Sequence, residues 1–223
     1  MISKGYIFDY GGTLDTGGCH WGKMLWHAYE RAAVPVTEQQ FREAYVAVER
    51  LLGKNPIVKS DFTFRQTLET KVGLQLQQLG LHEEVGSRIV DDLYAQVRLH
   101  TSHAREVIRQ LKEPKVLVSN FYGNMPTVLR EMGLDRLFET VIESAVVGIR
   151  KPDPQIFLLG VEALGLLPAE VTVVGDSIEK DMVPAHRAGC QTIWLCGEQW
   201  TDTPVDKDAV GRTITNLSEL TNN

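Results

Sequence analysis

The stretch IFDYGGTLDT, residues 7–16, starts as an apolar run and passes into a glycine turn directly after an aspartate. Together with Tyr6, the residues Ile7 and Phe8 form a short apolar run that is typical of a buried strand. Asp9 follows this run, and Gly11 and Gly12 then break the strand pattern. The stretch therefore predicts a strand whose carboxyl end presents a lone carboxylate at a turn.

Four further apolar runs have the same character and lie in the second half of the chain. They are residues 115–118, 140–142, 171–174 and 192–195. Continuous β-branched runs without alternation suit strands that are buried on both faces, as in a parallel sheet. Helical patterns that stop at Gly133 and Gly165 separate these runs. The sequence thus predicts an α/β fold with a doubly wound, mainly parallel, Rossmann-like sheet, whose ligands sit at the carboxyl ends of the strands.

The region from about residue 18 to residue 99 interrupts the alternation of strands and helices. It is rich in helix formers and predicts helices over residues 21–32, 37–52, 61–73 and 83–97. Thr37 and Gln40 have the spacing of a capping box at the second of these helices. We interpret residues 17–100 as an inserted all-helical cap domain, and residues 1–16 and 101–223 as the Rossmann-like catalytic core.

The connections of this insertion are expected near residues 16–18 and 100–103. The glycine pair Gly17-Gly18 at the first and the histidine-flanked segment at the second are expected to flex, so that the cap can open and close. The tail from residue 201 onward is polar and predicts at most a short helix.

Composition restricts the classes of function. The chain has 223 residues, of which 43% are hydrophobic and 23% charged, and this length suits one domain with a smaller insertion. A net charge of −6 leaves no excess of cations for nucleic acid. Since no leader precedes the first strand and no apolar run approaches ~18 residues, we expect a cytoplasmic protein without a membrane partner. Its three cysteines lack metal-site spacing and are expected to be reduced thiols.

Polar side chains follow four of the predicted strands, at the edge where ligands bind. Asp9 follows the first strand, and Ser119-Asn120 follows the second. The remaining members are Lys151 in GIRKPDPQIF, and Asp176 and Asp181 in VVGDSIEKD. The topology predicts that these side chains meet.

This ordered set resembles the haloacid dehalogenase superfamily of hydrolases, and specifically its members with a helical cap inserted after the first strand. The resemblance runs from Tyr6 to about Leu195, which is nearly the whole chain. It implies a Mg²⁺-dependent phosphatase that acts on a small phosphorylated metabolite through an aspartyl-phosphate at Asp9. We expect this protein to be a monomer or a weak homodimer.

The resemblance also implies roles for single residues. A phosphoryl group in transfer is highly charged, so its site must supply positive charge and donors. Lys151 would supply the charge, Ser119 a hydroxyl donor and Gly12 a backbone N–H, with Asn120 beside them. A Mg²⁺ ion would be held by Asp9, Asp176 and the carbonyl of Gly11, and would cancel the repulsion between nucleophile and substrate. Asp181 would support the metal site or pair with Lys151.

Each of these residues also has a purely structural interpretation. Asp9 and Asp176 fit turn or helix caps after a strand, and Asp181 fits the same helix start. Lys151 fits a solvated surface lysine beside Arg150. For Asp15 we favour a structural role, at the junction between the first strand and the insertion.

Gly11 is the one serious departure from the family pattern. In the family's phosphatases and phosphomutases, an aspartate usually stands at this place, protonates the leaving group and then activates water. Such acid–base help is typically worth ~10²–10⁴-fold in rate. Glycine cannot provide it, so we expect reduced or atypical activity.

Three hypotheses accommodate this departure. The favoured one is a phosphatase that uses a better leaving group or a donor from the cap entrance, where Cys19, His20, Trp21 and His27 cluster; His20 is the candidate acid. The second is phosphonate-cleaving or dehalogenase-like chemistry. Dehalogenases lack the metal-binding acid, whereas Asp176 is present, and phosphonate cleavage needs a cap lysine. The candidates for that lysine are Lys23, Lys54, Lys59 and Lys71. The third is a non-catalytic module that binds a phospholigand or a protein.

Overall fold

The strands of the computed structural model form one parallel sheet. The model describes residues 3–201, 204 and 206–221. The strands are β1 (Gly5–Phe8), β2 (Lys115–Ser119), β3 (Thr140–Glu143), β4 (Val171–Gly175), β5 (Gln191–Leu195) and β6 (Arg212–Ile214). Their order across the sheet is β3-β2-β1-β4-β5-β6, and each neighbouring pair is parallel. The predicted doubly wound parallel sheet is therefore confirmed.

The α-helices divide into two groups along the chain. Four lie between β1 and β2, and we call them the helical insertion: α1 (Trp21–Arg31), α2 (Glu38–Lys54), α3 (Phe64–Gln78) and α4 (Gly86–Gln110). The others alternate with the later strands: α5 (Met125–Met132), α6 (Ser144–Val147), α7 (Gln155–Leu164) and α8 (Val183–Arg187). None of the helices in the described ranges is long and apolar enough to cross a membrane.

Local signals in the sequence account for several helix ends. Thr37 and Gln40 form the predicted capping box of α2, and Thr63 and Gln66 form an equivalent box at α3 that was not predicted. α5 and α7 are followed by left-handed residues with φ of 68° and 63°, which are the predicted glycine stops.

Both faces of the sheet are buried, as the unalternating strands predicted. Ile7 of β1 packs on one face with Val116 and with Phe157 of α7. Phe8, its neighbour in β1, belongs to the core on the other face, which includes Leu25 of the helical insertion. Since side chains alternate along a strand, two adjacent, fully buried residues require cover on both sides.

The structure corrects the bounds of two predicted helices and adds one strand. The helix predicted over residues 61–73 spans Phe64–Gln78. The helix predicted to end at residue 97 continues as α4 to Gln110, so the expected connection at residues 100–103 lies inside a helix. Val97, Thr101, Ala104 and Ile108 are all buried and continue one apolar stripe at helical spacing. In the tail, β6 was missed because two of its three residues are exposed and carry no apolar signal, whereas the short helix is present at residues 217–220.

Candidate active site

The carboxyl ends of three neighbouring strands meet at one cavity. β1 lies between β2 and β4 and runs parallel to both, so their last residues reach the same edge of the sheet. Asp9, Ser119 and Asp176 lie at these ends and line a cavity of about 140 Å³. Side chains of α2 and α3 form its opposite wall, among them Tyr45 and Leu68. The cavity therefore lies between the sheet and the helical insertion.

Lys151 joins two carboxylates in this cavity. Its Nζ atom lies 2.5 Å from Oδ1 of Asp9 and 2.7 Å from Oδ1 of Asp181, and 1% of its side chain is exposed. Burial alone would lower the pKa of Lys151, but the charges of Asp181 and Asp9 outweigh it and raise the pKa above the ordinary value. The ammonium group is therefore charged at neutral pH.

Asn120 fixes the backbone that carries Lys151. Its Oδ1 accepts a hydrogen bond from the Lys151 N–H at 2.9 Å, and its Nδ2 donates to the Lys151 carbonyl at 3.1 Å. The turn after Asn120 is held by Glu143, whose carboxylate accepts hydrogen bonds from the N–H groups of Gly123 and Met125. Asn120 thus lines the cavity mainly as a positioning residue, which the sequence did not indicate.

Three buried aspartates form an acidic cluster beside Lys151. Asp9, Asp176 and Asp181 each offer one carboxylate oxygen, and these oxygens lie within 4.8 Å of one another. The hydroxyl of Thr13 lies 3.1 Å from Asp9 Oδ2 and 3.2 Å from Asp176 Oδ1, so it bridges the two carboxylates. Burial raises the pKa of Asp9 to about 6, although the charge of Lys151 acts to lower it. Burial and the charge of Asp9 raise the pKa of Asp176 well above its usual range.

The donor chemistry of this cluster fits a divalent cation. Three buried carboxyl groups face a single buried ammonium, so the cluster has more acidic groups than its one cation can pair with. Mg²⁺ prefers carboxylate and carbonyl oxygens as protein ligands. A Cβ atom at Gly12, where φ is +104°, would collide with the Asp176 carboxylate. Glycine at position 12 therefore lets Asp176 approach the turn after β1.

The N–H of Gly12 is already used within the protein. It donates to Oδ1 of Asp15 at 2.7 Å, while Nε1 of Trp21 donates to Oδ2 of the same carboxyl at 2.9 Å. The predicted approach of this N–H to a phosphate stays a prediction. Asp15 is fully buried and ties the turn after β1 to the start of α1, as its predicted structural role requires. Burial raises the pKa of Asp15 to about 8, although the hydrogen bonds from Gly12 and Trp21 act to lower it.

Gly11 faces the cavity with open space around it. A Cβ atom there would find only Cδ1 and Nε1 of Trp21 within 4 Å, both at 3.7 Å, which is ordinary van der Waals contact. Position 11 therefore has room for a Cβ atom, on the side of the cavity.

The structure argues against His20 as the replacement acid. His20 lines the cavity, but its Nδ1 accepts a hydrogen bond from the Gly22 N–H at 3.0 Å, and its ring stacks on Trp200 at 5.5 Å. Burial first, and then the charge of Lys180, lowers the pKa of His20 to about 4. The imidazole is therefore neutral at pH 7 and holds no acidic proton to donate.

His27 was also expected near the cap entrance. In the structure its ring forms hydrogen bonds with Glu30 and Glu198 at the surface.

One of the four candidate lysines lines the cavity. Lys71 of α3 does so, and its ammonium lies 2.5 Å from Glu49 of α2. Lys23 instead pairs with Glu38, and Lys54 and Lys59 are exposed. Glu49 and the aromatic residues around Lys71 carry no motif, so sequence reasoning could not have singled them out.

Comparisons with known proteins place the chain among related sequences. A family model described as haloacid dehalogenase-like hydrolase matches residues 4–189. A glyceraldehyde 3-phosphate phosphatase of Methanopyrus kandleri is 38% identical over 74 residues, which are 33% of this chain and 32% of that protein. A phosphoserine phosphatase of Thermus thermophilus is 41% identical over 77 residues, which are 33% of this chain and 31% of that protein. The chain thus spans about a third of the length of these curated relatives.

Solved structures share the fold over the full length. The HAD-hydrolase YfnB from Bacillus subtilis, determined bound to magnesium, aligns with 100% of this chain and 98% of its own at a TM-score of 0.61. Its sequence identity to this chain is 19%, so this likeness concerns the fold.

Proposed function

The chain belongs to the haloacid dehalogenase-like hydrolases, and from this premise we propose that it is a Mg²⁺-dependent phosphatase with Asp9 as its nucleophile. The observation that carries the proposal is the placement of Asp9. Its carboxylate is buried at the end of a central strand, opens onto the cavity and lies 2.5 Å from the Lys151 ammonium. A carboxylate at this position can attack phosphorus, and the adjacent cation offsets the charge of the incoming phosphoryl group.

The reaction would proceed in two steps. A carboxylate oxygen of Asp9 forms a bond to phosphorus while the ester P–O bond breaks. The leaving oxygen departs as an anion with the electron pair of that bond and takes its proton from water. Water then attacks the phosphorus of the aspartyl-phosphate, which releases inorganic phosphate and restores the Asp9 carboxylate. Division into two steps replaces one difficult displacement with two easier ones.

The surrounding side chains support the phosphoryl group rather than react with it. Lys151 would contact its oxygens, and Asn120 keeps Lys151 in place through two hydrogen bonds to the backbone. Ser119, buried at the end of β2, would donate its hydroxyl. Because charge stabilisation depends on donors that are already oriented, this fixed arrangement favours phosphoryl transfer.

Asp9, Asp176 and the carbonyl of Gly11 would hold Mg²⁺. When bound, the ion supplies positive charge that reduces repulsion between the Asp9 carboxylate and a phosphate dianion. The hydroxyl of Thr13 bridges the carboxylates of Asp9 and Asp176 and orients them. Asp181 accepts a hydrogen bond from the Lys151 ammonium and so holds it beside Asp9.

Gly11 limits the leaving groups that this site can expel. Without an acid at position 11, and with His20 neutral, an alkoxide would have to leave unprotonated or take its proton from water. Esters of acidic alcohols avoid this cost because their anions are stable. We therefore assign the protein to small phosphorylated metabolites or phosphoanhydrides with good leaving groups. Two of its relatives are named as phosphatases of small phosphorylated metabolites, which supports that part of the substrate class.

Phosphonate cleavage through an imine is disfavoured by the state of Lys71. Burial alone would lower its pKa, but the charge of Glu49 outweighs it and holds the pKa well above the ordinary value. An imine requires a neutral amine. The one candidate lysine that lines the cavity is thus a poor nucleophile.

We assign residues 17–100 to a helical cap domain and residues 1–16 and 101–223 to the core. The cavity between the sheet and the helical insertion supports this division, because substrate would enter where the two parts meet. Because α4 continues through residues 100–103, the cap could move at that connection only if the helix bends.

Trapping of the intermediate tests the proposed mechanism. The enzyme is mixed with p-nitrophenyl phosphate and Mg²⁺, quenched in acid within the first turnover and digested for mass spectrometry. We expect one added phosphoryl group on the peptide that contains Asp9, and none in the Asp9→Asn variant. A phosphoryl group on another residue, or release of phosphate by the Asp9→Asn variant at the wild-type rate, would refute the assignment.

A further inference from the structure

A second charged cluster lies on the helical insertion, at the wall of the same cavity. Lys71 of α3 places its Nζ atom 2.5 Å from Oε1 of Glu49 of α2, and 10% and 30% of the two side chains are exposed. The other oxygen of Glu49 accepts a hydrogen bond from the Tyr122 hydroxyl at 3.0 Å. Both oxygens of Glu49 are thus engaged, and the ion pair presents no net charge to the cavity.

Aromatic rings surround the ammonium of this pair. It lies 5.5 Å from the ring centre of Trp21, 5.7 Å from that of Tyr122 and 5.9 Å from that of Tyr45. These distances lie within the ~6 Å over which a ring face attracts a cation. Phe64 and Phe121 extend the aromatic wall of the cavity. Such a wall favours an organic group over a hydrated ion.

The pair is ionised at neutral pH. Burial alone would lower the pKa of Lys71, but Glu49 and then the Tyr122 and Tyr45 hydroxyls outweigh it and hold the pKa well above the ordinary value. Burial alone would raise the pKa of Glu49, but Lys71 lowers it. An ammonium group has three N–H donors, and Glu49 needs one of them. Lys71 therefore retains donor capacity for an oxygen of a bound ligand.

We propose that the Glu49–Lys71 pair is the specificity subsite for the leaving group. It selects phosphate esters of uncharged alcohols with a hydroxyl or carbonyl oxygen over phosphate esters whose alcohol part carries a carboxylate. This inference rests on the proposed phosphatase function and adds its substrate class. A neutral oxygen accepts a hydrogen bond from Lys71 without disturbing the pair. A carboxylate would bring a second negative charge beside Glu49, in a cavity where water screens it poorly.

Two esters with the same carbon skeleton separate these cases. sn-Glycerol 3-phosphate and 3-phosphoglycerate differ in that a hydroxymethyl group of the first is a carboxylate in the second. Specificity constants are measured by phosphate release with Mg²⁺, and dissociation constants by calorimetry in the Asp9→Asn background, where turnover does not contribute heat. We expect the protein to prefer glycerol 3-phosphate by at least about tenfold in both measurements.

Glu49→Gln is the decisive variant, because it keeps the shape of the side chain and removes its charge. The charge of Lys71 is then uncompensated, and we expect the preference to shift toward 3-phosphoglycerate by at least about tenfold. Glu43→Gln, on the exposed side of α2, changes the net charge equally and is expected to leave the ratio unchanged. The double variant Glu49→Gln/Lys71→Met leaves no unpaired charge, and we expect it to bind both esters weakly.

The outcomes distinguish this inference from the proposed function. If neither ester is hydrolysed but the binding preference and its shift in Glu49→Gln appear, the subsite stands. Because both esters have poor leaving groups, turnover of p-nitrophenyl phosphate with Mg²⁺ then decides the phosphatase proposal separately. Turnover with the same ratio in Glu49→Gln and the wild type overturns the subsite alone. A wild-type preference for 3-phosphoglycerate, or binding of neither ester, also overturns it.

Discussion

The Lys151 ammonium lies 2.5 Å from the Asp9 carboxylate, although 142 positions separate the two residues in the sequence. The contact forms because β1 and β2 are neighbours in a parallel sheet and Asn120, just after β2, holds the Lys151 backbone. A cation fixed against the proposed nucleophile neutralises part of the charge that a phosphoryl group would bring. This contact therefore makes the end of β1 suitable for attack on an anion.

Loss of a metal-binding carboxylate should appear directly in metal affinity. We expect Asp176→Asn to weaken Mg²⁺ binding by at least about tenfold, because it replaces an anionic ligand with a neutral amide. Isothermal calorimetry on the otherwise intact protein measures this. Asp135→Asn, at an exposed position, is the matched control and should keep wild-type affinity. Equal Mg²⁺ affinity in Asp176→Asn and the wild type would mean that the ion binds elsewhere.

Restoration of an acid at position 11 should change the range of leaving groups. The site admits a Cβ atom 3.7 Å from Trp21, so Gly11→Asp should fold without displacing its neighbours. We expect turnover of alkyl phosphates to rise at least about tenfold, and that of p-nitrophenyl phosphate much less, because only the former need a proton in the transition state.

A uniform loss on both substrates would show that the added carboxylate disturbs the metal site instead. Measurement of Mg²⁺ affinity in the same variant distinguishes the gain from the added acid from the loss caused by a disturbed metal site. No gain on any phosphate ester, with the metal still bound, would contradict the role assigned to the missing acid.

The pH response of His20 follows from its burial. Its pKa is lowered from 6.5 to about 4 in the folded protein, so between these pH values the unfolded chain takes up a proton that the native state does not. The stability that this difference contributes is present above pH 6.5 and is lost as the pH falls toward 4.

His20→Asn keeps an N-cap acceptor for the Gly22 N–H and removes this titration. We expect the difference in unfolding free energy between wild type and variant to change with pH between 6.5 and 4 and to be constant above 6.5. We also expect the His20 ring to titrate near pH 4 by NMR. A midpoint near 6.5 would contradict its assignment as a neutral residue and would restore it as a candidate acid.

Strand positions were predictable because five of the strands are continuous apolar runs, which need no tertiary information. β6 was not predictable, since Arg212 and Thr213 are exposed at the sheet edge. The end of α4 was missed because polar residues flank the buried Thr101, and only its packing shows that the helix continues.

The candidate site likewise contains residues that the sequence indicated and others that only the structure shows. Asp9 and Asp176 were found because each directly follows a strand, where topology alone brings side chains together. Lys151 lies further along the chain, after α6, and was found from its place in the ordered set that resembles the family. The bridging hydroxyl of Thr13 and the use of the Gly12 N–H by Asp15 depend on the path of one turn. Lys71 could not be chosen among the cap lysines until its partner Glu49 was located on a neighbouring helix.

Release of p-nitrophenolate from p-nitrophenyl phosphate tests most directly whether Asp9 is the nucleophile of a Mg²⁺-dependent phosphatase. Nitrophenolate leaves without a proton, so the glycine at position 11 does not hide the activity. We predict turnover that requires Mg²⁺ and falls by at least about a thousandfold in Asp9→Asn, while Asp135→Asn keeps the wild-type rate. Turnover by folded Asp9→Asn at the wild-type rate, or its absence from the wild type with Mg²⁺ bound, would contradict the claim.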